Sequence, residues 1–304
     1  QTCALPICTK PITTQQSARP EWLDGVWLIA PTLFIVIGLM LVPLAGIVIV
    51  SFWSQTGFDI NPNWNLDNYR ILFTPEGALY RILIVKSLWM SLIATVTVVV
   101  LAYPMAYFMA FRVEKAKLIW IMLLTVPFWT SYLLRIFAWK VVLHPEGPLK
   151  HALAALHLVP ADGSLLYHSG AVLLVLVYTE LPFAILPLYA AAEKFDFRLL
   201  EAARDLGADP FRSFWSVFLP GIRRGLLTAT LVTLIPALGS YVVPDLVGGP
   251  TSEMLGNKIA QRTFSDRNLP HASALSALLA LAVRVPSVVA IAMSRRGDGE
   301  HGAK

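Results

Sequence analysis

Charge is scarce in this 304-residue sequence: Asp, Glu, Lys and Arg together make up 14%, against 56% hydrophobic residues and a mean hydropathy of +0.64. An ordinary soluble domain carries roughly 25% charged residues, so this balance excludes one and describes an integral membrane protein. Cysteine is nearly absent. Cys3 and Cys8 both fall in an N-terminal stretch without apolar periodicity, on the side of the membrane assigned below as reducing, which disfavours a disulfide. His144, His151, His157 and His168 fall between two apolar runs at spacings that match no compact metal-ligand pattern, so no metal is assigned. The chain also lacks GxxxxGK[ST] and therefore cannot hydrolyse ATP through a phosphate-binding loop. Its apolar runs contain no nucleophile–base pair, which argues against a membrane-embedded enzyme.

What is present is length without charge. Six apolar runs, at residues 26–52, 82–111, 118–142, 171–192, 226–247 and 272–293, each approach or exceed the ~20 residues a spanning helix needs. The sequence therefore predicts an all-α polytopic membrane protein with six transmembrane helices. Lys and Arg retained on the cytoplasmic side set orientation. With the N-terminus inside, the inner segments hold 14 of these cations and the outer loops 6. Both termini are then cytoplasmic, and the net charge of +5 follows from topology with no nucleic-acid partner. The resulting division is a cytoplasmic tail at 1–25, a membrane domain at 26–294 with a cytoplasmic loop at 193–224, and a second tail at 295–304. Residues 1–9, beginning QTCALPI, read like a translated sequencing-adapter remnant and are set aside.

The cytoplasmic loop is the most informative segment. Leu199, Leu200, Ala203 and Leu206 form one helical stripe, and Gly207 stops that helix by reaching a left-handed conformation without a Cβ penalty. Asp209 and Pro210 then supply an N-cap and first-turn residue for a second helix. Phe211, Phe214, Trp215 and Phe218 would line one face of it, and Leu219-Pro220 would end it. At ~1.5 Å per residue neither helix could cross ~30 Å of hydrocarbon, so the pair belongs at the membrane surface. Gly221 and Gly225 formally match a helix-dimer spacing, but Arg223 and Arg224 between them argue against that use.

Glu201-Ala202-Ala203, Gly207 and Leu219-Pro220 stand in an order and spacing that resemble the EAA loop of binding-protein-dependent ABC importer permeases. The stretch NPNWNLDNYRILF after the first run, Ala102 to Tyr107 at the end of the second, and 241–256 after the fifth are similar to permeases of the spermidine/putrescine kind within that family. The resemblance covers nearly the whole chain after the tail. It implies a type I ABC importer permease fold and a bacterial inner-membrane location. The implied partners are a cytoplasmic ATPase dimer holding the ATP and Mg, a second permease subunit and a periplasmic substrate-binding protein, with no cofactor in this chain. Glu201, Ala202, Ala203, Gly207, Asp209 and Pro220 then couple the ATPase to the membrane domain. The cargo it implies is a polyamine, with phosphonates, opines or ferric complexes as alternatives within the class. An ion-coupled secondary transporter is the rival class. It would use an inverted repeat, and none is visible by eye.

Candidates for the substrate path are Glu180, Trp129, Tyr132, Tyr178, Tyr241 and Asp245. Glu180 falls near the middle of the fourth run, where a carboxylate costs at least ~2.5 kcal/mol and needs a partner, a cavity or a cargo. Arg284, similarly placed in the sixth run, offers it an ion pair, so both readings of Glu180 stay open. The aromatic residues would bring ring faces that bind cations at ~0.5–2 kcal/mol each. Arg135 and Lys140 are expected to snorkel toward the outer surface, and Asp245 to attract cations near the outer mouth.

Overall fold

The computed structural model describes residues 21–113, 116–156 and 163–299, with side chains undescribed at 21–28, 285, 286 and 289–299. The tail before residue 21, with Cys3, Cys8 and the set-aside residues 1–9, and also His157 and the last five residues, lie outside the described part. The chain divides into two units, at Gly46 and Ile47. The first contains most of a long helix, α1 (Glu21–Val50), which carries Pro31 and Pro43.

The second unit is built on three helices, α2 (Ala78–Phe111), α3 (Ser169–Glu193) and α4 (Arg223–Gly239), which pack against one another. Their contact surface is rich in alanine, with branched aliphatics between. Ala94, Val98, Ala102 and Ala106 recur every fourth position on α2 and are all at most 2% exposed; the last three cluster with Ala184, Ile185, Leu188 and Ala192 of α3 and Ala229 of α4, and Ala94 with Val172, Val175 and Leu176 of α3. Lipid tails are as apolar as leucine, so helices in a bilayer gain little by hiding large side chains; they gain by close approach, which small residues permit. Gly225 marks the tightest point: a Cβ there would lie 2.2 Å from the Ala191 Cβ and 3.1 Å from the Pro187 carbonyl oxygen. Gly225 thus serves packing within the chain, against α3, whereas Gly221 precedes the bend at Ile222 and a Cβ there would meet the Phe195 ring beyond α3.

All-α is correct apart from one hairpin, Ser54–Thr56 paired antiparallel with Asp59–Asn61 through Gly57 at φ +65°. The count of six transmembrane helices is not confirmed, and two of the predicted spans are interrupted. Among the described residues three helices are long and apolar enough to cross a membrane, or up to five if each of two bent pairs is one span. The predicted third span is broken into Lys117–Trp129, whose last turn from Val126 is tighter, and Tyr132–Val142, at 87° across Thr130-Ser131. Thr130 and Ser131 are extended there, three residues after Pro127. The predicted fifth span ends as helix at Gly239, and extended Ser240 separates it from Val242–Val247. The last helix runs Leu269–Gly299, with an apolar portion at Leu269–Arg284. Apolar composition specifies burial in lipid or protein but not continuity of the backbone, which explains why unbroken runs of hydrophobic letters concealed these bends.

Replacing Gly225 by Ala should destabilise the folded chain by about 1–3 kcal/mol, as overpacking does. A lowered thermal midpoint in detergent would register it, and adding Ala191→Gly should recover part of the loss. An unchanged midpoint in Gly225→Ala would contradict the tight contact.

Candidate functional site

Two regions hold most of the predicted residues. The first is the loop that follows α3. Helix α5 (Arg198–Asp205, lying between α3 and α4 in the chain) ends as the sequence predicts: Gly207 adopts φ +86°, its N–H donates to the Arg204 carbonyl at 2.9 Å, and the Ala208 N–H reaches back to the Ala203 carbonyl at 3.0 Å. This pair of bonds is a Schellman closure, satisfying carbonyls that the helix end leaves free. No atom lies within 4 Å of where a Gly207 Cβ would stand, so backbone conformation alone demands glycine. Asp209 then accepts from the Arg212 N–H at 2.6 Å as an N-cap, and Pro210 occupies the first turn.

The second arm differs from expectation. Pro210–Ser213 leads into a wide, π-type turn at Phe214–Phe218, and the helical path continues through Leu219–Gly221. Pro220 does not end it; the chain bends by 72° at Ile222 instead. Nor do the four aromatics share one buried face. Phe218 is 1% exposed and Phe214 is half-buried, whereas Phe211 and Trp215 are 72% and 53% exposed. On the first arm only Leu200 is buried, with Ala203 partly so, and Leu199 and Leu206 face outward. An arm of two turns meets the protein along one line, so most of an apolar stripe remains uncovered. Glu201, Ala202, Gly207, Asp209 and Pro220 are exposed. The bent pair thus presents Leu199, Leu206, Phe211 and Trp215 outward, together with Glu201.

Phe218 ties this loop to the membrane helices. Its ring centroid lies 5.8 Å from Tyr103, 5.6 Å from Tyr107 and 5.7 Å from Phe111 on α2, and 5.0 Å from Phe195 beyond α3. All four contacts are edge-on, the geometry that the ring quadrupole favours, worth ~0.5–1.5 kcal/mol each beyond burial.

The second region is a cavity of 440 Å³ between Tyr132–Val142, α3 and the break at Ser240. Of the substrate-path candidates, Glu180, Tyr132 and Tyr241 line it, joined by Arg135, Thr179, Phe183 and Ser240. Glu180 is 6% exposed and its Oε2 is buried without a hydrogen-bond partner. Thr179 cannot serve it, because that hydroxyl is committed to the Val175 and Leu176 carbonyls at 3.0 Å.

Arg135 corrects two expectations. It does not snorkel outward, because the 87° bend turns its helix so that it borders the same cavity as Glu180. The cation facing Glu180 is therefore Arg135; Arg284 is exposed on the last helix. The guanidinium lies 5.8 Å from the ring centroids of both Phe128 and Tyr132. Its presence in an apolar run was the signal available in the sequence, since a charge at membrane depth calls for a role. Three other candidates lie apart. Tyr178 packs edge-on against Trp139 at 5.3 Å and lines a neighbouring cavity of 210 Å³. Trp129 is 89% exposed and borders neither cavity, because the backbone becomes extended at Thr130, directly after it. Asp245 is exposed in the first turn of Val242–Val247, away from both.

Compared with known proteins, residues 85–296 match the family described as binding-protein-dependent transport system inner membrane component. The chain is 40% identical over 238 residues to the spermidine/putrescine transport system permease protein PotB of Haemophilus influenzae, covering 78% of this chain and 82% of that protein. To PotB of Escherichia coli it is 38% identical over 218 residues, covering 72% and 78%. To the inner membrane ABC transporter permease protein YdcU of Escherichia coli it is 34% identical, covering 71% and 72%. Among solved structures, a chain of a bacterial ABC transporter involved in import of the acidic polysaccharide alginate superposes with a TM-score of 0.65 at 18% identity, covering 91% of this chain and 98% of that one. The alginate transporter in complex with its alginate-loaded periplasmic protein gives 0.67 at 17%, covering 92% and 98%.

Gly207→Val should remove transport while leaving membrane insertion intact, because a β-branched residue at φ +86° carries ~1–2 kcal/mol of strain and reopens the bend. Gly207→Asn, which tolerates that conformation, should retain most of the activity. Uptake assays on cells with matched membrane levels distinguish the two; normal uptake by the Val variant would contradict the role given to the bend.

Proposed function

This chain belongs to the family of binding-protein-dependent transport system inner membrane components, and we propose that it is the permease through which polyamines enter the cell, driven by an ATPase on another chain. The observation that carries this reading is the joint occurrence of two things: identity of 38–40% to spermidine/putrescine permeases over most of the chain, and an exposed, bent helix pair for a motor to grip. As a permease subunit of an ABC importer it is a transport protein and not itself an enzyme, and it works with an extracytoplasmic binding protein.

The bent pair would dock in a groove of a cytoplasmic ATPase dimer. Uncovered Leu199, Leu206, Phe211 and Trp215 are the apolar contacts such a groove would bury, and Glu201 is a charge at the same surface. The excess of 14 inner over 6 outer cations supports placing this loop and both termini in the cytoplasm. Closure of the ATPases would push on the arms on either side of Gly207. Phe218 would carry that push to the end of α2 through its contacts with the rings of Tyr103, Tyr107 and Phe111, and the 72° bend at Ile222 would carry it to α4. The motion ends at the cavity, since α4 contributes Pro236 and Gly239 to its wall.

There, buried Glu180 and the rings of Tyr132 and Tyr241 make a setting suited to an alkylammonium: a carboxylate for its charge and π faces for its positive edge. ATP and Mg belong to the partner, and a second permease subunit would complete the pathway.

Phe211→Asp should abolish co-purification of the ATPase encoded beside this chain, without reducing insertion. Loss of a central apolar anchor costs at least ~2 kcal/mol, about thirty-fold in affinity. Retention of the ATPase would refute the docking assignment. Absence of spermidine or putrescine uptake by the assembled transporter, with uptake of another solute intact, would refute the cargo.

A further inference from the structure

The cavity that holds Glu180 also holds a cation, and the two do not close on each other. Arg135 and Glu180 both line the 440 Å³ space. Among the described residues no ion pair within 4.0 Å joins them, and Arg135 Nε and Glu180 Oε2 are each buried without a hydrogen-bond partner. Burying two opposite charges and leaving them apart is costly unless something else holds one of them. Two rings do. Phe128, on the short turn before the break, and Tyr132, at the start of the helix after it, each place a ring centroid 5.8 Å from the guanidinium carbon, within the range of cation–π attraction. Phe128 is itself fixed edge-on against Phe183 of α3 at 4.8 Å.

We infer that Arg135 is a resident counter-charge, parked on Phe128 and Tyr132, that weakens the hold of Glu180 on a cationic cargo so that the cargo can leave. This rests on the reading of the cavity as part of the substrate route. With Arg135 in place the cavity is neutral overall and a primary ammonium entering it meets an attracting carboxylate and a repelling guanidinium. Without Arg135 the carboxylate would bind the ammonium too tightly for rapid release. Tyr132 therefore has two uses, as a wall for cargo and as a support for the arginine. Arg135 acts on specificity because a neutral solute would feel neither charge.

The test is initial-rate spermidine uptake by the complete transporter in proteoliposomes. Arg135→Gln should lower KM at least about tenfold, the effect of one like charge even ~10 Å off at an effective dielectric constant of ~20, and should lower kcat as well. Arg135→Lys, which retains the charge, should restore KM. Glu180→Gln should raise KM, and the double variant Glu180→Gln/Arg135→Gln should fall closer to the unaltered protein than Glu180→Gln alone. If Glu180→Gln raises KM while Arg135→Gln leaves it unchanged or raises it, the counter-charge is wrong and the route stands. If neither moves KM, the route itself is wrong. Should Arg135→Gln not accumulate in the membrane, Phe128→Leu supplies the second arm: freeing the guanidinium to close on Glu180 should raise KM severalfold, and an unchanged KM overturns the inference.

Discussion

A helix in hydrocarbon can open only where its freed backbone groups find protein or a cavity, because each unsatisfied N–H or C=O costs several kcal/mol in lipid. The architecture follows from that constraint. Two of its apolar runs are interrupted, at Thr130-Ser131 and at Ser240, and both interruptions adjoin the same space. The segments after them bring Tyr132, Arg135 and Tyr241 to the wall that already contains Glu180 from unbroken α3. Where the helices do not open, small residues let α2, α3 and α4 approach closely enough to form a rigid frame, with Gly225 against Ala191 as its tightest contact.

The loop beneath that frame is stiff where it bends and apolar where it is uncovered. Its Schellman closure at Gly207 and its cap at Asp209 satisfy the ends of two short arms that would be marginal by themselves. Phe218 inserts a ring among aromatic residues of α2 and Phe195, so that the surface element and the membrane frame share one packed cluster. A force applied to the arms has a continuous path of close-packed side chains to follow, and such interiors deform little.

The fold leaves the cargo undecided. The alginate importer chains that superpose on this one at 17–18% identity come from a transporter of an acidic polysaccharide, while the relatives at 38–40% identity are named for cationic spermidine and putrescine. The same arrangement of helices thus recurs in proteins named for cargo of opposite sign, so the fold alone does not fix the cargo. In this chain the cavity is lined by one buried carboxylate, one guanidinium and several rings.

Much was legible from residue order. Apolar length identified a membrane protein, and the left-handed glycine followed by Asp-Pro defined a sharp turn whose bonds can be written down in advance, because both signals are local and rest on hard sterics. Glu180 was found by the same kind of argument, as a charge in a place that penalises charge. Glu180's neighbour was not legible: Arg135 falls forty-five positions earlier, and one 87° bend decides whether it reaches lipid headgroups or the interior. The same bend exposes Trp129 and brings Tyr132 inward, although the two residues are three apart and would share a face in a continuous helix. Sequence by itself determined which residues are apolar, charged or free to turn, since those are properties of single side chains and short peptides. Only the tertiary structure decided where the long apolar runs break and which charges meet across the break, because that depends on which distant segments are at hand to receive the opened backbone.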